Sequence, residues 1–398
     1  MTPRLFFLDW LRIIAFAVLV LYHVGLYYVR WDFHVKSPFA GLVGPALEPW
    51  MKLSEPWRMS PPGRPKGEFR SAQHEGTPVS LLFMVSGAAT AQMLKAGAGL
   101  ALLRRRSRQL LLPLLCGVLL IVPPQAYCQV VQKLGYAGSY LDFLGLYFSG
   151  YHGFCEAGHC LILPTWNHLW FLPYLWLYTA LLCAVLALWP GALQGLAQAA
   201  RRWLVGAALL VLPMATILLL RWALWARFPS THALVDDGFN HAIYFGMFIS
   251  GAVFALTPGL WDRLARLRGL ALCLALGGWA VLVFGRPGGL AAHAVIAVFQ
   301  WSALVAAFGF AKQHLDVDHR WRARLTEAVF PVYLLHQTEI IVGSQWLLPL
   351  HWRPATEGPV LVLMTFGLSW LGYAVLRRFD GVRPWFGMSR QPKVAAQP

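Results

Sequence analysis

Three ionisable side chains fall on one apolar stretch near the start of the chain: Asp9, Arg12 and His23. A charge among apolar neighbours is costly and persists where another group pairs with it or a function uses it. Asp9 and Arg12 are three residues apart, so on a helix they share a face and can neutralise each other. Arg12 and His23 are eleven apart, close to three full turns, which puts the imidazole on that same face about 16 Å further along. The stripe runs from a fixed cation to the side chain best suited to exchange a proton near neutral pH. A buried imidazole there could deprotonate a hydroxyl, or carry an acyl group itself. The competing reading is a snorkelling arginine beside an unrelated packed histidine.

Three further clusters carry polar chemistry. The run Arg104-Arg105-Arg106-Ser107-Arg108 is either a topology signal or a phosphate clamp, since guanidinium forks match phosphate oxygens. In Phe330-Pro331-Val332-Tyr333-Leu334-Leu335-His336-Gln337-Thr338-Glu339, His336, Gln337 and Glu339 cannot all face lipid. That segment must line a cavity or a polar interface, and His336 and Glu339, one turn apart, could hydrogen-bond. Asn167-His168-Leu169-Trp170 sets polar groups among aromatics, as sugar stacking or an interfacial aromatic belt would require. His34 and Arg58, in the first long loop, are ambiguous in the same way. No GxxxxGK[ST], GxSxG, HExxH or CxxC spacing occurs, and no metal site is expected. Ser86-Gly87 reads as close helix packing rather than a nucleophile.

The elements that must position these groups are membrane spans. The chain has 398 residues, 58% hydrophobic and 13% charged, with a mean hydropathy of +0.54. An ordinary soluble domain is about a quarter charged. So little charge excludes a soluble globular enzyme, a disordered chain and a disulfide-stapled scaffold. Apolar runs fall at roughly 10–29, 79–95, 109–127, 168–189, 204–222, 239–257, 270–285, 289–311, 327–348 and 359–376. The expectation is an all-α polytopic membrane protein of about ten transmembrane helices. With the N-terminus inside, the cytoplasmic segments hold 20 of the 33 Lys and Arg residues, so both termini are expected in the cytoplasm. The net charge of +16 is then a topology signature, and no nucleic-acid partner is expected. No small-residue cleavage site follows the first span, which is therefore expected to stay.

Residues 1–380 are expected to form one membrane-embedded domain, with outer loops at about 30–78 and 128–167, and 381–398 a short polar cytoplasmic tail. The end of the first loop, PPGRPKGEFRSAQHEGTP, should be mobile. In the second, Cys155 and Cys160 could pair if the loop faces an oxidising periplasm. Cys116, Cys183 and Cys273 read as packing residues.

Taken together, these residues resemble the integral-membrane acyltransferase 3 family, whose members O-acylate extracytoplasmic carbohydrates. The likeness begins at Phe7-Leu8-Asp9-Trp10-Leu11-Arg12 and reaches His23. It recurs at Arg105-x-x-Arg108, at Asn167-His168-Leu169-Trp170-Phe171-Leu172 and at Val332-Tyr333-Leu334-Leu335-His336-Gln337. Trp31-Asp32-Phe33-His34-Val35-Lys36-Ser37, Trp57-Arg58-Met59 and Leu81-Leu82-Phe83-Met84-Val85-Ser86-Gly87 look most like the periplasmic glucan succinyltransferase branch. One departure is the stretch 61–79, which in that branch is nearly absent and here leaves the role of Arg58 open. The resemblance implies a bacterial inner-membrane enzyme with no permanently bound cofactor. Its donor would be an acyl-CoA, acetyl-CoA or succinyl-CoA, with Arg105 and Arg108 near the phosphates. The acceptor would be a periplasmic or cell-surface carbohydrate. His23 would be general base or acyl carrier, with Arg12 and Asp9 orienting the donor or holding the helix. His34, Arg58, Asn167, His168, Trp170, His336 and Glu339 would serve the acceptor. The rival reading is a transporter or flippase of a glycan or lipid-linked sugar, since ten spans with buried charges suit transport as well.

Overall fold

Each of the ten apolar segments lies on a helix in the computed structural model of the chain, which describes residues 5–53, 79–94, 99–156, 159–228 and 230–390. The first helix, α1 (Phe6–Tyr28), is followed by α2 (Ala40–Leu53), α3 (Val79–Met93) and α4 (Gly99–Cys116). α4 runs on through a wide turn at Gly117–Ile121 into α5 (Pro123–Leu134), bent by 43°, where Pro123 and Pro124 cannot continue the backbone ladder. A short α6 (Tyr140–Phe148) precedes α7 (Phe171–Leu188). Then α8 (Ala192–Trp203) meets α9 (Ala208–Leu224) at 119°. α8 buries Leu193, Ala197 and Ala200 and exposes Arg201 and Arg202, as an amphipathic helix lying along an interface does. The remainder is α10 (Gly238–Leu256), α11 (Leu260–Ala280), α12 (Gly289–His314), α13 (Arg322–Leu347) and α14 (Pro354–Leu376).

Among the described residues six helices are long and apolar enough to cross a membrane unaided, and eight spans result if each bent pair counts as one. The two segments short of that measure are α3, with only 15 residues, and α13, which carries His336, Gln337 and Glu339. α13 is shielded by α1, α5 and α14, which is how a polar helix is accommodated within lipid. The chain is an all-α multi-pass membrane protein. Among the described residues the sole sheet is a two-residue hairpin pairing Cys155–Glu156 with His159–Cys160, closed by a Cys155–Cys160 disulfide.

Two contacts fix the frame around the polar helix. At the end where α1 begins, the Arg322 guanidinium bridges Asp9 on α1 at 2.5 Å and Asp318 at 2.7 Å. Asp9 thus joins α1 to α13, while its own-helix neighbour Arg12 lies further off at 3.8 Å. Beside this, residues 381–390 fold back rather than trailing away as a tail. Arg383 pairs with Glu327, and Phe386 and Met388 enter the core. Arg58 and residues 61–78 of the stretch 61–79 lie outside the described residues, as does the segment expected to be mobile.

The second contact is the crossing of α3 and α10, where the backbones touch. A Cβ built on Gly87 would sit 1.8 Å from the Phe248 carbonyl oxygen, and one on Gly251 1.8 Å from that of Met84. The pair is reciprocal, and it bears out the close packing read at Ser86-Gly87. Overpacking a tight contact costs about 1–3 kcal/mol or more. Gly251→Ala is therefore expected to lower the thermal unfolding temperature of the detergent-purified protein markedly. Gly246→Ala, whose Cβ meets nothing within 4 Å, should leave it unchanged; equal effects would refute the account.

Candidate active site

α1 and α13 bring two imidazoles together in the bundle interior. His23 Nδ1 lies 3.1 Å from His336 Nε2, with both residues fully buried. His336 Nδ1 faces two carbonyl oxygens of its own helix, Tyr333 at 2.8 Å and Val332 at 3.2 Å. Carbonyls only accept, so Nδ1 of neutral His336 carries the proton and Nε2 is the acceptor. His23 Nδ1 must then donate, which leaves the lone pair of its ring on Nε2. The tautomers follow from the partners rather than from seen hydrogens.

A third imidazole completes the cluster. His168 stands on a 3-10 turn, Asn167–Trp170, that leads into α7. Its Nε2 lies 3.1 and 3.3 Å from the Tyr333 and Leu334 carbonyls, and its ring meets that of His336 edge-on at 5.2 Å. The Tyr333 hydroxyl donates to the His168 carbonyl at 2.6 Å, tying the turn to α13. Asn167 opens the turn with φ +41°, a region asparagine tolerates better than most residues. Its Nδ2 donates to Gln125 Oε1 at 3.1 Å, and Gln125 Nε2 donates to Thr338 at 2.7 Å. Gln125 and Gln129, one turn apart on α5, are buried, and Gln129 Oε1 meets His34 Nδ1 at 2.6 Å. Sequence reading missed both glutamines; two Gln at i, i+4 in an otherwise apolar segment were the available signal.

The loop after α1 roofs this cluster. Phe33 lies over the His23 ring with centroids 6.2 Å apart. The loop is anchored by Lys36, whose Nζ donates to the carbonyls of Leu26 at 2.8 Å, Val29 at 3.0 Å and Trp31. Those carbonyls end α1 or follow it, where a cation is favoured. α5 grips the same loop through Gln132 to the Lys36 backbone at 2.6 Å and Lys133 to Asp32 at 2.8 Å.

Below the imidazoles, towards the start of α1, lies a cavity of about 660 Å³. Among the described residues Arg12, Arg106, Arg320, Arg324 and Arg377 line it, with Glu327 as the one carboxylate. Glu327 is engaged by Arg383, by the Tyr373 hydroxyl at 2.7 Å and by Arg377 at 3.7 Å, and the remaining arginines leave the cavity cationic. Its deep end is aromatic, with Phe16, Phe171 and Phe330. All three contact the Tyr333 ring, at 5.4, 6.4 and 6.2 Å. Tyr333 is thus the floor between the cavity and the imidazoles. A cavity of similar size, about 680 Å³ between α3, α4, α7 and α8, is lined by apolar residues and Gln194. Among the described residues that line it the Cys183 thiol is the one ionisable group, and it lies away from the histidines.

Several expected site residues sit elsewhere. Of the 104–108 run, Arg105 and Arg108 are exposed on α4, while Arg106 points inward and donates to Thr90 at 2.7 Å. Helical periodicity decides this: one turn cannot turn all four arginines to the same cavity. Arg320, Arg324 and Arg377 were read only as topology charges. Glu339 turns to Ser369 on α14 instead of pairing with His336. Trp170 is buried, its ring packed on His232 at 4.1 Å and Tyr244 at 5.6 Å, so it offers no face to a sugar. Among the described residues no group of His, Cys, Asp and Glu could hold a metal.

A multi-pass helical bundle whose interior holds linked imidazoles above a cationic cavity has the parts of an acyl-transfer enzyme in a membrane. The model of the acyltransferase 3 family, described as an acyltransferase domain, matches residues 5–374. The chain belongs to that family and is a membrane acyltransferase. Neither a curated protein nor a solved structure matches it.

Burial pushes the Lys36 ammonium down to about 7, with the Asp32 carboxylate opposing. The folded chain therefore holds this proton less tightly than the unfolded one, and stability rises with pH between about 7 and the ordinary lysine value near 10.4. The unfolding temperature of the wild type relative to Lys36→Met is expected to climb from pH 7 to pH 10 and to be flat below pH 7. A difference independent of pH throughout would refute this.

Proposed function

We propose that the protein moves an acetyl or succinyl group from acyl-CoA to a hydroxyl of an extracytoplasmic carbohydrate, such as a glucan, across a bacterial inner membrane. The observation that carries this reading is the order of groups along one axis: a cationic cavity, an aromatic floor, then the His336–His23 pair. The cavity suits the phosphates of coenzyme A, which Arg106, Arg320, Arg324 and Arg377 would hold through charge-assisted hydrogen bonds. Arg12 to His23 is about 16 Å along α1, a span for the pantetheine arm, with Tyr333 moving aside to pass the thioester.

His23 is the general base. Its Nε2 takes the proton of the acceptor hydroxyl as that oxygen attacks the thioester carbonyl. The tetrahedral intermediate collapses, the carbon–sulfur bond breaks, and the departing thiolate takes the proton back from the imidazolium. The products are an ester and free coenzyme A. His336 is a positioning residue: its neutral Nε2 accepts from His23 Nδ1, holds the tautomer, and stabilises the imidazolium as charge forms, as a third group does in triads. The positive-inside bias supports cytoplasmic placement of the arginine cavity.

The test is release of coenzyme A thiol and the mass increment on the glycan, with purified protein in bilayer discs supplied with acetyl-CoA or succinyl-CoA and a glucan. His23→Ala should lose nearly all activity while remaining folded; retained activity refutes the scheme. His336→Leu should lower kcat about 100-fold, within the range for general-base catalysis, with KM little changed. Arg324→Ala should raise KM for acyl-CoA about tenfold, the loss of one charge-assisted bond, and leave kcat nearly intact.

A further inference from the structure

Arg221, in the last turn of α9, is 98% buried, at 2% relative exposure. Its guanidinium rests against two rings, Trp225 at 5.3 Å and Phe239 at 5.6 Å. Those ring faces attract the charge but do not take its in-plane N–H bonds. Among the described residues, Nε and Nη2 have no hydrogen-bond partner, and no carboxylate pairs with the group. The carboxylate two residues before Phe239, Asp237, is taken up by Tyr174 at 2.7 Å, Thr231 at 3.0 Å and Asn240 at 2.9 Å. His293, in the first turns of α12, faces the same place: its ring is 6.4 Å from Trp225, and its buried Nδ1 is likewise without a partner. Buried charges are ordinarily paired, because an uncompensated ion in a low-dielectric interior is expensive.

An apolar groove leads to this pair. Between α9 and α10 a cavity of about 220 Å³ is lined by Pro213, Ile217, Leu220, Ile243 and Gly246. On each helix the groove residue lies four positions from the residue at the cation: Ile217 from Arg221, and Ile243 from Phe239. One turn of helix therefore carries the groove to the guanidinium on both walls. The groove is open where its lining residues Gly246 and Thr216 are exposed. A hydrocarbon slot ending at a buried cation complements one class of molecule in a bilayer.

We infer that Arg221 and His293 form a phosphate site for a membrane phospholipid whose acyl chain lies in the groove between α9 and α10. The phosphate oxygens take the two open guanidinium N–H groups in the forked geometry that suits them, and the chain fills the slot. The site is separate from the imidazole cluster and from the arginine cavity.

The test uses the full-length protein, purified in detergent and stripped of lipid, with thermal unfolding as the readout. Three probes are added separately: phosphatidylglycerol, diacylglycerol (chain without phosphate) and inorganic phosphate (phosphate without chain). A ligand that binds only the folded state raises the unfolding temperature in proportion to its occupancy. Phosphatidylglycerol is expected to give a saturable rise that neither partial probe reproduces, a comparison that needs only the wild type. Arg221→Met should abolish the rise, and it should unfold no earlier than lipid-free wild type, since it removes an unpaired buried charge. Gly246→Leu, which fills the open slot, should weaken the lipid effect. An equal rise with diacylglycerol, or with phosphate alone, would overturn the lipid assignment. An unchanged lipid response in Arg221→Met would overturn the site.

Discussion

A bilayer supplies no water to a buried polar side chain, so each such group must find its partner inside the bundle. The architecture follows from this constraint. α13 carries an imidazole, a hydroxyl and a carboxylate where lipid would otherwise lie, and each is drawn to a different neighbour. His336 turns to α1, Glu339 to α14 and Thr338 to α5. The three partners wrap α13, and the wrapping creates the interior in which chemistry is possible.

Within that interior the charge is arranged along an axis. Guanidinium groups gather at the end where α1 and α13 begin, and imidazoles occupy the other half, with Tyr333 between them. The same tyrosine anchors the His168 turn through its hydroxyl. Moving it would therefore disturb both sides of the floor at once.

Closure at the opposite end rests on backbone carbonyls together with the Lys133–Asp32 pair. Lys36 gathers carbonyls left open at the end of α1, and that fastening holds Phe33 over His23. A small satellite core of Ala126, Val130, Phe143, Tyr147 and Phe154 stiffens the second loop beside it. α5 therefore serves twice, gripping the roof through Gln132 and Lys133 and the floor of the turn through Gln125.

The sequence by itself determined the class of fold, the helices under its ten apolar runs and the Arg12–His23 stripe. Each rests on a local property: apolar run length, or spacing along one helix. Close packing at Gly87 was legible for the same reason, since a glycine in an apolar helix allows close approach wherever its partner comes from. The partners themselves were decided only by the tertiary structure. His336 had a neighbour one turn away in Glu339, yet its ring points across the bundle to His23, because side chains three apart lean along different radii once the helix is packed on two sides. Arg106 lines the cavity while Arg105 and Arg108 stay outside, since rotation of α4 about its axis is set by what it packs against. Trp170 reads like a sugar platform until His232 and Tyr244, more than sixty residues on, are found on its faces. Which residues meet across a bundle depends on the rotation and tilt of whole helices, and those are fixed by the sum of packing over the entire interface rather than by any one segment's pattern.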